Sequence, residues 1–204
     1  MSKIGILGGS FNPIHNGHIY IAREVRDKLS LDKIVFVPTG IAPHKNCEEF
    51  APKYDRYNMV CIAAEDEFEV SDIEVKSDRI CYAVDTVKIL KEVYKSDEIF
   101  YIIGGDSLMT FMEWREPQKL FDMLHIVVVD RGRADIDKKA DEFRKLYNAK
   151  ITVCHIKPID ISSSKIRLNF KKTGTSGGLV PNNVEEYIIS KKLYMEVKNG
   201  NRGN

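Results

Sequence analysis

Paired cysteines, long apolar runs and an excess of charge of one sign are all missing from this sequence. The four cysteines (Cys47, Cys61, Cys81 and Cys154) are scattered with no C-x-x-C pair. That argues against a zinc site or a disulfide framework and for reduced thiols in a cytosolic protein. No apolar stretch approaches the roughly 18 residues of a membrane span. The first strand-like run begins at Lys3, which leaves no room for the charged and apolar regions of a signal peptide. The expected location is the cytoplasm, with no membrane partner. The 31 basic and 30 acidic side chains give a net charge of +1, so no global basic field points to nucleic acid. An anionic ligand has to be met by local charges instead.

What is present is an ordinary globular composition, 43% apolar and 30% charged over 204 residues. That length suits one domain with a sizeable core. A single domain over 1–204 is expected, its end from 197 disordered. The runs KIGIL (3–7), KIVFVP (33–38), IFYII (99–103), HIVVV (125–129) and ITVCHI (151–156) are short, rich in Ile and Val, and largely non-alternating. Such continuity marks strands buried on both faces of a parallel sheet. FEVSDIEV (68–75) alternates better and reads as a strand nearer an edge. Between these runs, helical spacing aligns Ile19, Ala22, Val25 and Leu29, and again Val84, Val87, Leu90 and Tyr94, while 135–147 is amphipathic and charge-rich. Alternating strands and helices predict an α/β fold, a Rossmann-like open parallel sheet with helices on both faces. Such sheets bind ligands at the carboxyl ends of their strands. The loop 40–53 has two prolines and no apolar period, and its length marks it for function.

Residues 5–18 read GILGGSFNPIHNGH. Gly8 and Gly9 end the first strand, where absent side chains let main-chain N–H groups approach an anion. His15 and His18 straddle Gly17, with His18 where the 18–29 helix should begin. A helix N-terminus carries unsatisfied N–H groups and partial positive charge, which suits phosphate. The segment is not G-x-G-x-x-G, and no G-x-x-x-x-G-K-[ST] occurs anywhere, so neither a dinucleotide fingerprint nor a P-loop is present. H-x-G-H is also too short for the two-histidine helix face of H-E-x-x-H zinc enzymes. A second anchor is ISSSKIR (161–167), where three serines precede a short helical stretch. They can cap that helix, or their hydroxyls and N–H groups can cup polyphosphate oxygens with Arg167 adding charge.

GGSFNPIHNGH followed much later by ISSSKIR resembles the nucleotidyltransferase superfamily, whose members share (H/T)-x-G-H and I-S-S-T-x-[IV]-R signatures. APHK (42–45), YAVDTV (82–87), IIGGDSL (102–108), WREP (114–117) and LVPNNVEEYI (179–188) are similar in order and spacing to bacterial nicotinate-nucleotide adenylyltransferases. Ser164 stands where that family usually has Thr, and Gly105 where Ala or Thr is common. The resemblance implies an HxGH-type nucleotidyltransferase fold. It also implies transfer of AMP from ATP to the 5′-phosphate of nicotinate mononucleotide, giving deamido-NAD and pyrophosphate by direct in-line attack. No covalent enzyme intermediate and no nucleophilic triad are needed. Mg²⁺ is expected to accompany the triphosphate through phosphate oxygens and water, with no protein metal ligand. Whether the protein is a monomer or a homo-oligomer is left open.

Carried onto this sequence, the resemblance implies His15 and His18 as catalytic groups. ATP contacts are expected at Gly8, Gly9, Ser10, Phe11, His15, His18, Gly104, Asp106, Ser162, Ser163 and Arg167. For the acceptor, Trp114 can stack on a flat, cationic pyridinium ring, or can serve the core beside Phe111 and Met112. Thr86 is expected to donate to the nicotinate carboxylate, with Tyr82 beside it and Asp85 touching the ligand or holding the segment. His44 and Lys45 are expected over the phosphates on the long loop, or as solvated charges. Asp106 reads as a ribose acceptor or a helix cap. Arg115 and, more weakly, Arg131 complete the acceptor set. Two alternatives stand beside this reading. One is another superfamily adenylyltransferase, such as one acting on phosphopantetheine. The other is a non-catalytic nucleotide sensor on the same fold.

Overall fold

The computed structural model describes residues 1–41, 50–130, 132 and 134–195. His44, Lys45, Arg131 and the tail from 197 lie outside these residues. The described chain alternates strand and helix as the apolar runs require. In order it forms β1 (Lys3–Gly9), α1 (Asn16–Leu29), β2 (Lys33–Pro38), α2 (Lys53–Ala64), β3 (Glu69–Val70), α3 (Ala83–Val93), β4 (Glu98–Gly104) and α4 (Gly105–Met109). A 3-10 turn (Phe111–Glu113) leads to α5 (Pro117–Met123), β5 (His125–Asp130), α6 (Ala134–Tyr147), β6 (Lys150–His155), α7 (Ser163–Thr173) and α8 (Asn182–Ser190). The six strands are parallel, in the order β3-β2-β1-β4-β5-β6. Strand order therefore reverses between β1 and β4, and the carboxyl ends of these two strands form the crevice where such sheets take ligands.

Both faces of the sheet are covered, which is why its strands read as unbroken apolar runs. On one face Phe36, Ile102 and Val127 meet Ala22 and Val25 of α1, Val60 of α2, Phe170 of α7 and Ile188 of α8. On the other, Ile6, Val35 and Val128 meet Val87 of α3, Phe121 of α5 and Phe143 of α6. A Cβ at Gly5, in the middle of β1, would overlap the Ile34 side chain and lie 2.9 Å from Leu31 Cδ1. Glycine there lets the first face close tightly over the central strand.

Two expectations are corrected. The alternating stretch 68–75 pairs with β2 only over Glu69 and Val70. Beyond them the Ser71 N–H still donates to the Phe36 carbonyl at 2.9 Å, and then Lys76 N–H closes a turn on Asp72 O at 2.9 Å. Ser and Asp favour such turns, and an edge strand has no second neighbour to hold it extended. The first helix begins at Asn16 rather than His18, because His15, with φ −150° and ψ 168°, takes the N-cap. His18 thus sits in the first turn. Helices α2, α5 and α8 form where the sequence carried no assignment.

Candidate active site

A cleft of about 920 Å³ opens over the carboxyl ends of β1 and β4. Gly8, Gly9 and Ser10 form its floor, with His15, Gly17 and His18 beside them. Gly104 borders it from the end of β4, Ser107 from α4, and Ser162 and Ser163 from the start of α7. Val129, Ile156 and Ile161, which pack on one side of the sheet, give it apolar lining, and Tyr82, Tyr101 and Trp114, which pack on the other, give it aromatic lining. Polar donors thus share the cleft with apolar and with aromatic lining. Pockets of this size hold molecules with several functional parts.

The histidines are held as a pair. Their rings stack with centroids 3.7 Å apart and planes 17° apart, and the Phe11 ring stands edge-on to His18 at 5.0 Å. The His15 N–H donates to His18 Nδ1 at 3.2 Å. An Nδ1 that accepts leaves the proton on Nε2, which makes His18 a donor on its other side. His15 is only 7% exposed, so its ring supports His18 from within the fold.

The turn before the histidines is fixed through its carbonyls. Arg56 Nη1 donates to Ser10 O at 2.7 Å, Arg167 Nη1 to Asn12 O at 3.0 Å, and Ser163 Oγ to Pro13 O at 2.9 Å. Asn12 Oδ1 accepts from Ala51 N–H at 3.0 Å and from the Tyr194 hydroxyl at 2.8 Å. Helix α7 is capped by Ser162, whose Oγ accepts from Lys165 N–H at 3.3 Å. Ser162 therefore both caps the helix and faces the cleft, which Ser163 also lines.

At the aromatic end, Trp114 stacks on Phe111 at 4.9 Å and meets Tyr101 edge-on at 6.4 Å. Its indole is half-buried and still borders the cleft, so the core role and the lining role coexist. The Arg115 guanidinium lies over the Tyr82 ring at 4.6 Å and pairs with Asp85 at 3.8 Å. Glu74 reaches the cleft, and burial raises its carboxyl above the usual range, opposed by hydrogen bonds from Thr86 and Gly40 and by the charge of Arg56.

Several sequence-nominated residues stand elsewhere. Phe11 is 2% exposed and packs on Phe36 and His18 rather than lining the cleft. Its backbone, at φ 43°, lies in the left-handed region and turns the ring inward. Thr86 is also off the lining, because its hydroxyl donates to Glu74 Oε1 at 2.7 Å. Asp85, Asp106 and Arg167 do not line the cleft either. Asp106 is exposed in the first turn of α4, and Arg167 acts behind the turn. Sequence reasoning missed Arg56, Glu74, Thr39 and Lys157. Only Arg56 left a signal, sharing a helix face with Met59 and Val60 at i+3 and i+4.

Gly40 joins these missed residues. Its N–H donates to Glu74 Oε2 at 3.4 Å and its carbonyl accepts from Arg56 Nη2 at 3.0 Å. A Cβ there would overlap the Glu74 carbonyl oxygen and lie 2.9 Å from that carbonyl's carbon. Because main chain cannot rotate aside, Gly40→Ala is expected to destabilise the fold by about 1–3 kcal/mol. A urea midpoint equal to that of the parent protein would contradict the close approach.

Among the described residues, no group of three or more His, Cys, Asp or Glu side chains could hold a metal ion. No helix among them is long and apolar enough to cross a membrane.

Glycines and paired histidines over the switch point of a parallel sheet define an α/β protein built to hold a nucleotide. Consistent with that class, a family model described as cytidylyltransferase-like matches residues 6–169. A Dictyoglomus thermophilum protein named "Probable nicotinate-nucleotide adenylyltransferase" is 37% identical over 195 residues, covering 95% of this chain and 100% of its own. A Clostridium beijerinckii protein of the same name is 36% identical over 203 residues, with 95% and 100% covered. The solved Plasmodium falciparum nicotinic acid mononucleotide adenylyltransferase complexed with NaAD shares the fold, with a TM-score of 0.74 at 21% identity over 95% of this chain and 98% of its own. The chain belongs to the nicotinate-nucleotide adenylyltransferase family within the cytidylyltransferase-like group.

Proposed function

We propose that this protein transfers AMP from ATP to the 5′-phosphate of nicotinate mononucleotide, releasing pyrophosphate and deamido-NAD. One observation carries the reading: a single cleft is lined by a stacked histidine pair and the α7 N-terminus together with apolar and aromatic residues. Apolar residues suit the flat purine, and Tyr82 and Trp114 suit the pyridine ring. Between them, the two phosphates that must react share one set of donors. The relatives' names agree with this chemistry.

The attacking phosphate is already ionised near neutral pH, so the protein needs no general base. Its task is to align the two phosphates and to offset charge at the α-phosphorus. His18 Nε2–H, the main chain at Gly9 and Ser10 and the first turn of α7 are the donors for that task. Mg²⁺ fits the same surroundings because nitrogen and hydroxyl donors leave it to phosphate oxygens and water. When bound, it neutralises charge on the departing pyrophosphate.

Pyrophosphate release tests the proposal, with nicotinate mononucleotide, nicotinamide mononucleotide and phosphopantetheine as acceptors. Fastest release with the nicotinate compound is expected. Preference for phosphopantetheine, or no release with any acceptor, would overturn it.

The aromatic pocket adds a second expectation. Nicotinate mononucleotide should quench the fluorescence of Trp114, the single tryptophan. Trp114→Ala should raise the acceptor KM by a stacking loss of about 1–2 kcal/mol, and Trp114→Phe should recover part of it. An unchanged KM with lowered thermal stability would assign Trp114 to the core alone.

A further inference from the structure

Arg56 is an arginine almost without solvent, 3% exposed on the inner face of α2. Buried guanidinium groups ordinarily face a carboxylate. The Glu74 carboxyl feels its charge, but each of its three nitrogens donates to a main-chain carbonyl, and each carbonyl belongs to a different stretch of chain. Nε donates to Ala51 at 3.2 Å, Nη1 to Ser10 at 2.7 Å and Nη2 to Gly40 at 3.0 Å. Ser10 is the cleft residue that follows the paired glycines of β1. Gly40 follows β2 and is tied in turn to Glu74, another cleft residue. A planar fork with fixed donor directions sets the mutual positions of its acceptors, which a lysine's single rotating nitrogen does not.

We infer that Arg56 is a positioning residue that sets the Ser10 peptide against the histidine pair and fixes the spacing between the β1 turn and the Gly40–Glu74 wall. It touches no substrate. Because a trans peptide is planar, holding the Ser10 carbonyl also orients the N–H of the next residue. The inference rests on the proposed adenylyl transfer, in which the phosphates react beside this turn. Alignment errors of about 1 Å cost on the order of a hundredfold in rate, so a loosened turn should appear in turnover more than in affinity.

The test compares Arg56→Gln and Arg56→Lys with the parent protein and with Ile151→Ala. Ile151 is a buried residue of β6, and its truncation lowers stability at the end of the strand away from the cleft. For each protein, kcat and KM for both substrates are measured with the melting temperature. Arg56→Gln should lower kcat by about ten- to a hundredfold with each KM changed by less than about threefold, and Arg56→Lys should recover part of the rate. Ile151→Ala should keep its kcat despite a lower melting temperature. An Arg56→Gln kcat within twofold of the parent would overturn the inference. So would an Ile151→Ala kcat that falls in parallel with stability, or failure of both Arg56 variants to fold, because Arg56 would then serve folding alone. If the parent protein itself shows no transfer, the functional proposal falls instead. That outcome is separable, because it is read before any variant.

Discussion

Replacing His18 with alanine is expected to cut turnover by about a hundredfold or more while the fold survives. The imidazole accepts the His15 N–H through Nδ1, so its Nε2 proton is directed to a partner outside that bond. A phosphate oxygen gaining charge in the transition state is the partner that profits most, and a lost donor of this kind shows in kcat rather than in KM. The structural loss includes the hydrogen bond from the His15 main chain, worth about 1 kcal/mol, and the ring contacts with His15 and Phe11. His15→Ala should lower turnover by a similar factor, with a larger fall in melting temperature because that ring is buried. The two losses should not add, since the stacked rings work as one unit. Circular dichroism confirms the fold of each variant, and steady-state kinetics give kcat. A folded His18→Ala protein with unchanged kcat would remove the histidine pair from the chemistry.

The second large effect is expected at Arg167. It reaches the site from behind, through the Asn12 carbonyl at 3.0 Å, while neighbouring Ser163 holds the Pro13 carbonyl at 2.9 Å. Together they join the first turns of α7 to the segment that leads into the histidines. Hydrogen bonds to a charged group are worth about 1.5–3 kcal/mol. That bond lies within the protein, so its loss reaches ATP only through a loosened segment, and Arg167→Ala is expected to weaken ATP binding by roughly tenfold. Trp114→Ala, at the other end of the cleft, should leave ATP binding within twofold. Calorimetric titration of ATP into both variants decides the matter. Equal losses would mean that the cleft is not divided into a polyphosphate part and a ring part.

The elements that carry this site were legible because their physics is local. Between Lys3 or Glu98 at the start and the closing glycines, the runs that lead to Gly9 and Gly104 are buried and mostly apolar, as strands covered on both faces are, and their ends coincide with the glycines that the cleft uses. The helix after β1 was visible in its 3.6-residue spacing, although its start was placed two residues late. The N-cap is a histidine, and Ser, Thr, Asp and Asn are the signals usually read for that position. What stayed hidden depends on contacts between distant segments. Glu74 looked like one more polar residue in an alternating strand, yet its carboxylate joins Gly40 to Thr86 across the aromatic end of the cleft. Thr86 alone suggests a ligand contact, because its sequence neighbours do not reveal the Glu74 carboxylate that takes its hydroxyl. Phe11 belonged to a motif, and its inward turn follows from a left-handed backbone that the sequence pattern does not encode. Trp114 could be read two ways from its neighbours, and the structure gives it both surroundings.

The most direct test of adenylyl transfer by positioning uses ATP made chiral at the α-phosphorus by a sulfur substitution. The dinucleotide formed with nicotinate mononucleotide is isolated and its configuration at that phosphorus determined. A single in-line displacement, with His18 and the α7 N-terminus only stabilising charge, predicts inversion and no label left on the protein. Retention of configuration, or a nucleotidyl group trapped on a side chain, would contradict it.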